Sequence, residues 1–307
     1  MVVKKKIIYV ADTHFKKKNF YNLKNLKNYR VIFNKFGRSL NQNDLQKIFL
    51  KYPNIIGIVA GLEKYNKFFL KNQKNLKAIS RVGVGLDSLD LDFLKKNKIK
   101  IIKLKDELTN SVAELFLTLI LVSLRQVIPN VNFMKKNIWK PVIGNDLDRK
   151  KIGILGYGKI GKKLYQKLKH LGPNIFIFEK KKISNKNIKK RNLKFIFKKC
   201  DFICISLNLN NSTKGLINSK ILSQANKNTV IINASRGSII NEQSLYKYLS
   251  RNKSSKAFLD CFAKEPYHGK LLKLKNVFGL PHIASYTYET REKMEISASK
   301  QLIKYLN

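Results

Sequence analysis

The stretch that decides the fold covers residues 152–161 and reads Ile-Gly-Ile-Leu-Gly-Tyr-Gly-Lys-Ile-Gly. A strand-like apolar run leads directly into the spacing Gly-x-Gly-x-x-Gly, and a stretch with helical spacing follows. In this pattern Gly156 permits a tight turn, Gly158 lets the backbone approach a pyrophosphate, and Gly161 lets helix and strand pack closely. The N-terminus of the helix offers N–H groups and a partial positive charge to the phosphates. The stretch therefore predicts a dinucleotide-binding unit.

An acidic residue at the expected distance supports the same interpretation. Glu179 lies eighteen residues after Gly161, at the end of the next predicted strand. A carboxylate there accepts hydrogen bonds from the ribose hydroxyls of NAD and repels the 2′-phosphate of NADP. Residues 180–182 are all lysine and Arg191 is near, and these cations could instead attract that phosphate. The sequence favours NAD and leaves NADP open.

Alternating strand and helix patterns predict an α/β fold with two parallel-sheet domains. The length of 307 residues agrees with about two domains of ordinary size. The predicted strands cover residues 6–10, 30–33, 55–59, 76–80, 100–104, 151–155, 174–178, 194–197, 202–207, 229–233, 257–260 and 277–279. The predicted helices cover residues 43–51, 90–96, 111–125, 162–171 and 288–307.

The helix predicted over residues 111–125 is apolar on most of its sides. Thr109 or Asn110 is expected to cap it, with Glu114 following in the first turn. A helix of this kind is buried between domains or at a subunit interface, or it is an ordinary core helix.

Three loops that follow predicted strands supply the side chains of a reaction. Residues 233–237, 259–266 and 280–284 contain Arg236, Glu265 and His282, and loops at the carboxyl ends of parallel strands are where such sheets bind ligands. Hydride transfer to a keto acid needs a cation for the carboxylate, which arginine binds bidentately, and a proton donor titrating near neutrality, which histidine provides. A carboxylate beside that histidine would favour the imidazolium. Spacing alone leaves open whether the three meet, and a single histidine after proline is commonly a turn residue.

Several motifs in a fixed order make this sequence resemble the D-isomer-specific 2-hydroxyacid dehydrogenases. The resemblance spans roughly residues 50 to 300. It rests on residues 81–90 (Arg-Val-Gly-Val-Gly-Leu-Asp-Ser-Leu-Asp), 111–114 (Ser-Val-Ala-Glu), the region of Trp139, and residues 156–161, 201–215, 232–245, 259–266 and 281–287.

The resemblance implies roles for individual residues. Arg236 corresponds to the arginine that binds the substrate carboxylate, His282 to the acid/base and Glu265 to its carboxylate partner. The backbone that forms a second cradle for that carboxylate corresponds to Val82, Gly83 and Val84. Asp260 corresponds to the residue that binds the nicotinamide carboxamide, and Ser206 stands where the family often has histidine. The full set of expected cofactor contacts is Gly156, Gly158, Lys159, Ile160, Gly161, Glu179, Ser206, Ala234 and Asp260.

The same resemblance implies a domain plan and an activity. Residues 107–282 would form an NAD-binding Rossmann domain, inserted into a flavodoxin-like substrate domain made of residues 1–106 and 283–307. The expected protein is a homodimer, built partly on the helix that contains Glu114. It would transfer a hydride between NAD(H) and a small D-2-hydroxy acid or 2-keto acid, with 3-phosphoglycerate among the candidates. The alternative is a non-enzymatic NAD-sensing or partner-binding protein on the same fold, although such a scaffold does not require Arg236, Glu265 and His282 together.

The formal net charge of +44, from 63 Lys+Arg against 19 Asp+Glu, raises nucleic acid as a partner. Only nine of the basic residues are arginine, and the lysines are spread along the chain. Nucleic-acid readers lean on arginine for bidentate contacts. The composition therefore favours a general bias toward lysine, and no nucleic-acid partner is expected.

The remaining features predict a cytoplasmic protein without a membrane span or a metal. Three cysteines in apolar stretches form no Cys-x-x-Cys pair, which is typical of core residues in a reducing compartment. The longest apolar stretch, residues 115–124, is half of the ~20 residues that a membrane helix needs. Asp12-Thr13-His14 resembles part of a two-metal site, but three further histidines elsewhere form no second motif.

Overall fold

The computed structural model describes residues 5–24, 26–71 and 73–307, and the chain divides into two compact units. Unit 1 consists of Met1–Leu108 and Thr287–Asn307, and unit 2 is the intervening segment Thr109–Tyr286. Unit 2 is thus inserted, along the sequence, into unit 1.

The units divide two and four residues later than the predicted bounds 106/107 and 282/283, and hydrogen bonds join the residues near each division to their own unit. The Glu107 carboxylate accepts a hydrogen bond from the Ser297 hydroxyl at 2.6 Å, which keeps Glu107 in unit 1. The backbone N–H groups of Ile283 and Ala284 donate to the Asp260 carboxylate at 2.7 and 3.0 Å, which keeps this loop in unit 2.

Unit 1 is built on a parallel sheet with the strand order β2-β1-β3-β4-β5, the flavodoxin-like order. Helices follow the strands in alternation, as the hydrophobic pattern predicts. The strands are β1 (Lys6–Val10), β2 (Tyr29–Phe33), β3 (Ile55–Ala60), β4 (Ala78–Arg81) and β5 (Lys100–Lys103). The helices are α1 (Lys18–Tyr21), α2 (Gln42–Lys51), α3 (Lys67–Leu70), α4 (Leu91–Lys96) and, at the end of the chain, α11 (Tyr288–Leu306).

Buried polar contacts attach α11 to the start of unit 1. Glu295 on this helix is fully buried, and its carboxylate accepts hydrogen bonds from the Lys16 N–H at 2.8 Å and the Asn19 amide at 2.9 Å. Arg291, one turn earlier, donates to Glu295 at 2.9 Å and to Asp12 at 2.6 Å. Because each buried charge has a partner, the network tolerates its removal from water.

Unit 2 contains a parallel sheet with the order β12-β11-β10-β9-β6-β7-β8, which is the Rossmann order extended by one strand. The expectation of two parallel-sheet α/β domains is therefore confirmed. The strands are β6 (Lys151–Leu155), β7 (Asn174–Phe178), β8 (Lys189–Lys190), β9 (Phe202–Ile205), β10 (Val230–Asn233), β11 (Lys256–Leu259) and β12 (Val277–Gly279). The helices are α5 (Thr109–Leu124), α6 (Val127–Met134), α7 (Lys159–Leu168), α8 (Leu193–Lys199), α9 (Ser219–Leu222) and α10 (Glu242–Arg251), with short 3₁₀ turns at Gly237–Ile239 and Lys270–Lys273.

The strand predicted over residues 194–197 is wrong, because this segment is part of helix α8. The side chain of Asn192 caps the helix by accepting a hydrogen bond from the Phe195 N–H at 2.8 Å. Leu193, Ile196 and Phe197 then fall on one buried face, with the i, i+3, i+4 spacing of a helix. The two-residue strand β8 was not predicted because its two lysines carry no apolar signal.

Helix α5 is the apolar helix that the sequence predicts, but its caps are not as expected. Thr109 and Asn110 lie inside the helix, and the Asn110 amide donates to Glu114 at 2.8 Å instead of capping. Glu114 also pairs with Lys167 of α7 at 2.9 Å. Among the described residues, no single helix has the length and apolar character to cross a membrane; α5 and α6 meet that test only as a pair bent by 61°.

Candidate active site

The turn after β6 has the geometry that its glycines predict. Gly156 has φ +98°, a left-handed conformation that favours glycine. A side chain at Gly161 would overlap with the carbonyl oxygen of Gly156, so only glycine lets α7 pack this closely on the turn. The Ser206 hydroxyl lies 3.1 Å from the Leu155 carbonyl and 3.0 Å from the Gly156 carbonyl. It can donate its one proton to either carbonyl, and this hydrogen bond stabilises the turn.

Open space lies above Gly158, where a pyrophosphate would sit. A Cβ atom built on Gly158 would meet no atom within 4 Å. Gly158 is the N-cap of α7, and Lys159 and Ile160 are its first helical residues. The first backbone N–H groups of a helix have no intrahelical acceptor, so the turn, the helix and the open space fit a dinucleotide phosphate.

Glu179 follows β7 and holds the same turn. Its carboxylate accepts hydrogen bonds from the Tyr157 N–H at 2.9 Å and the Lys181 N–H at 3.0 Å. Partial burial raises the pKa of Glu179, but these backbone donors, with that of Lys180, outweigh it and leave the pKa below its ordinary value. The group is therefore a carboxylate at neutral pH, as its predicted role at the ribose requires.

His282 and Glu265 form the pair that the sequence proposed. His282 Nδ1 lies 2.9 Å from Glu265 Oε2, and about 30% of each side chain is exposed (28% and 31%). The other oxygen of Glu265 accepts from the Phe262 N–H at 2.9 Å. Burial raises the pKa of Glu265. Its contacts with His282 and Phe262 and the charge of Arg236 lower the pKa by more than burial raises it, so the net shift is downward. With Nδ1 occupied by Glu265, Nε2 is the nitrogen that can exchange a proton with a ligand.

Asp260 holds the backbone that follows His282. It is 1% exposed, and its two oxygens accept the N–H groups of Ile283 and Ala284. Burial raises the pKa of Asp260, while these two hydrogen bonds oppose the rise. His282 itself has φ +58°, a conformation that a non-glycine residue keeps only when its surroundings impose it. The predicted contact of Asp260 with the nicotinamide stays a prediction.

Arg236 lies in the loop after β10, whose shape is set by Asn233. The Asn233 amide donates to the Arg236 carbonyl at 3.0 Å, and its oxygen accepts from the Ser235 N–H at 3.1 Å. The next residue, Gly237, lies so close to the Phe262–Ala263 peptide that a side chain there would overlap with it. The structure thereby brings the Arg236 loop next to the loop of Glu265. Ala234, half-buried in the same loop, keeps its predicted cofactor contact as a prediction.

The predicted carboxylate cradle lies in unit 1, directly after β4. Gly83 has φ +151°, Val82 is buried, and Val84 is exposed. The Val82 N–H donates to the Ala60 carbonyl at 2.9 Å, and the buried Arg81 guanidinium donates to the Val82 carbonyl at 3.1 Å. Contacts of this loop with a substrate stay a prediction.

One residue at the site escaped the sequence argument. Glu242, the first residue of α10, accepts a hydrogen bond from the Ala263 N–H at 2.7 Å. The sequence shows only an acidic residue six residues after Arg236, at a position where a helix begins. Nothing in the sequence indicates that its acceptor would reach the loop of Glu265.

The cysteines and the candidate metal ligands lie as follows. Cys200, Cys204 and Cys261 are buried and free, and burial raises the pKa of each thiol, that of Cys200 to about 12. Within the described ranges, no group of three or more His, Cys, Asp or Glu side chains could hold a metal ion.

Comparison with known proteins decides the family. Residues 117–284 match the model of the D-isomer specific 2-hydroxyacid dehydrogenase, NAD binding domain. The chain belongs to this family. A glyoxylate/hydroxypyruvate reductase B of Yersinia enterocolitica is 33% identical over 260 residues, 80% of this chain and 79% of that protein. Membership makes the chain an NAD(P)-dependent oxidoreductase of 2-hydroxy acids, and the non-enzymatic alternative is not favoured.

Solved structures share the fold at lower identity. A glyoxylate reductase from Paecilomyes thermophila has a TM-score of 0.84 at 24% identity and covers 97% of this chain and 94% of its own. An NADPH-dependent glyoxylate/hydroxypyruvate reductase from Sinorhizobium meliloti was solved with NADP and malonate. It has a TM-score of 0.83 at 22% identity, and the match covers 99% of this chain and 93% of that chain. These two similarities concern the fold alone.

Proposed function

We propose that the chain reduces a small 2-keto acid of the glyoxylate or hydroxypyruvate class. The observation that carries the proposal is the His282–Glu265 pair at 2.9 Å, set on the unit that also carries the dinucleotide-binding turn. Both features follow the carboxyl ends of strands in one parallel sheet, the edge where such sheets bind ligands. The relative from Yersinia enterocolitica, which acts on glyoxylate and hydroxypyruvate by its name, supports the choice of substrate class.

Each residue has a defined task in the reducing direction. The Arg236 guanidinium binds the substrate carboxylate bidentately, with the backbone of Val82, Gly83 and Val84 proposed as a second contact. His282 Nε2 donates a proton to the carbonyl oxygen, and the carboxylate of Glu265 stabilises the imidazolium beforehand. The nicotinamide cofactor, when bound, supplies the hydride. Its phosphates would be held at Gly158 and the first turn of α7.

The cofactor that we propose is NAD rather than NADP. Glu179 remains ionised at neutral pH because backbone N–H groups stabilise its carboxylate. A negative charge at the end of β7 repels a 2′-phosphate and accepts hydrogen bonds from ribose hydroxyls. The lysines at 180–182 favour the opposite choice, so both cofactors belong in the assay.

The decisive experiment removes the proton donor. We expect His282→Ala to lower kcat for glyoxylate and hydroxypyruvate by about 10²- to 10⁴-fold, the usual contribution of a general acid. His268→Ala is the matched control, because His268 lies near Glu265 in the sequence and has no proposed role. A His282→Ala enzyme with kcat within a few-fold of wild type on every 2-keto acid tested would remove His282 from the mechanism.

We also propose that the chain works as a homodimer in the cytoplasm. Support for the dimer comes from α6 and the segment after it, where Val131, Met134, Trp139 and Ile143 expose 45%, 52%, 88% and 91% of their surface. Large apolar side chains exposed within one short segment fit an interaction site, and a second copy is the partner that the family resemblance implies. The three free cysteines fit a reducing compartment.

Sedimentation equilibrium of the full chain tests the dimer. Wild type is expected at twice the chain mass at micromolar concentration, and Trp139→Glu is expected to shift the population toward monomer. Lys140→Glu, which adds an acid at the neighbouring position without removing an aromatic ring, is the control. A wild-type monomer at tens of micromolar would contradict the proposal.

A further inference from the structure

The peptide group between Phe262 and Ala263 has two close contacts. The backbone of Gly237 lies against it so closely that no side chain fits between them. The Ala263 N–H donates to Glu242 Oε1 at 2.7 Å. The 2.7 Å distance is that of a well-formed hydrogen bond, so the side-chain oxygen of Glu242 holds the peptide in place beside Gly237.

The preceding peptide group, between Cys261 and Phe262, orients Glu265. The Phe262 N–H donates to Glu265 Oε1 at 2.9 Å, and Glu265 Oε2 contacts His282 Nδ1 at 2.9 Å. The two peptide groups share the Cα atom of Phe262, so a shift of the Phe262–Ala263 peptide would also displace the Phe262 N–H that orients Glu265, and with it the carboxylate that orients the imidazole. Among the hydrogen bonds and ion pairs of the described residues, Glu242 has none with His282 or Glu265, so it acts through the backbone of the loop.

We propose that Glu242 is a positioning residue of the reaction, whose carboxylate fixes the Phe262–Ala263 peptide and thereby keeps Glu265 on His282. The inference rests on the proposed function, in which His282 is the proton donor. A merely structural role is the competing explanation, because Glu242 opens α10 and a negative charge at a helix N-terminus stabilises the helix.

Two substitutions separate the explanations because they remove different properties. Glu242→Gln keeps an acceptor oxygen at the same reach but removes the charge, whereas Glu242→Asp keeps the charge at the helix start but is shorter by one methylene. Positioning predicts that the Asp variant is the impaired one, with kcat lower by about 10- to 100-fold, the loss typical of a misplacement near 1 Å. The KM for the cofactor is expected to stay within about twofold in both. Gln243→Ala, at the next and exposed position, is the control.

A second readout follows Glu265 directly and needs no turnover. We expect ¹³C NMR to show the Glu265 carboxyl titrating below its ordinary range in wild type and in Glu242→Gln, and nearer its ordinary range in Glu242→Asp. A Glu242→Asp protein with wild-type kcat and unchanged Glu265 titration would overturn the inference, as would a Glu242→Gln protein impaired more than the Asp variant.

The two proposals fail in distinguishable ways. If wild type reduces no 2-keto acid, the proposed function fails. The NMR titration of Glu265 in the three variants still tests whether Glu242 positions it.

Discussion

Single carboxylates in this molecule differ in pKa because burial and backbone donors compete at each of them. At Glu179 and Glu265 the donors and nearby cations outweigh burial, and the pKa falls. At Asp260 and Glu63 burial outweighs the donors, and the pKa rises. The two carboxylates with proposed roles as charged groups, Glu179 and Glu265, therefore both stay ionised at neutral pH.

At the residue scale, the charge of Glu179 is expected to decide the cofactor. Glu179→Gln keeps an acceptor for the Tyr157 N–H but removes the charge that repels a 2′-phosphate. We expect the ratio of kcat/KM for NADPH to that for NADH to rise by about tenfold, or ~1.4 kcal/mol. Glu292→Gln makes the same charge change at an exposed position of unit 1 and should leave the ratio unchanged. An unchanged ratio in Glu179→Gln would assign cofactor choice to other residues.

Glu63 in unit 1 gives a prediction about stability and pH. It is 4% exposed, and its Oε2 has no hydrogen-bond partner within the described residues. Burial raises its pKa above the unfolded value, so the folded state holds the proton more tightly. The resulting stabilisation is complete below the unfolded pKa and is lost as the pH rises through the folded pKa.

Glu63→Gln cannot ionise and should avoid that loss. We expect its free energy of unfolding at pH 8 to exceed that of wild type by on the order of 1 kcal/mol, with a smaller difference at pH 5. Urea denaturation at both pH values measures this. A variant that is less stable than wild type at pH 8 would mean that the Glu63 carboxylate is needed there.

At the scale of elements, α8 illustrates how a cap overrides strand propensity. Residues 194–197 read Lys-Phe-Ile-Phe, a run typical of strands. The Asn192 side chain supplies an acceptor for the first turn, and packing of Ile196 and Phe197 in the core then stabilises the helix.

Loss of the Asn192 cap should therefore weaken unit 2. We expect Asn192→Ala to lower the free energy of unfolding by about 1 kcal/mol, and Asn192→Asp, which keeps the acceptor, to stay close to wild type. Denaturant unfolding of the three proteins measures both. Equal stability of the Ala and Asp variants would show that the cap contributes nothing and that packing alone forms the helix.

Most elements could be predicted because a buried parallel strand shows its apolar run directly, as residues 151–155 and 174–178 do. The residues of the candidate site could be predicted because motifs in a fixed order place Arg236, Glu265 and His282 after strands. The contacts that hold the loops of these three residues in place could not be predicted. Glu242 and Asp260 act on backbone N–H groups far along the chain, and every residue except proline offers such a group, so no residue type in the sequence identifies the partner.

The whole molecule carries a formal net charge of +44. Part of the excess lines an open pocket of about 430 Å³ in unit 2, where Arg149, Lys150, Lys151, Lys198 and Lys199 stand against the carboxylates of Asp148 and Asp201. An excess of like charge repels more in the compact folded state than in the expanded unfolded chain. The excess of lysine, to which no role in the proposed proton transfer is assigned, therefore lowers the stability of the folded state.

Added salt should consequently stabilise the protein. Between 20 and 200 mM NaCl the Debye length falls from roughly 20 Å to below 8 Å, which screens most of the repulsion between exposed lysines. We expect Tm to rise by about 3 °C or more over this range and then to level off, since a gain of ~1 kcal/mol shifts the Tm of a domain of this size by 2–4 °C. Thermal unfolding followed by circular dichroism measures the curve. A general salting-out effect would instead continue to raise Tm steadily above 200 mM. A flat or falling curve would show that repulsion within the +44 charge does not lower the stability of the fold.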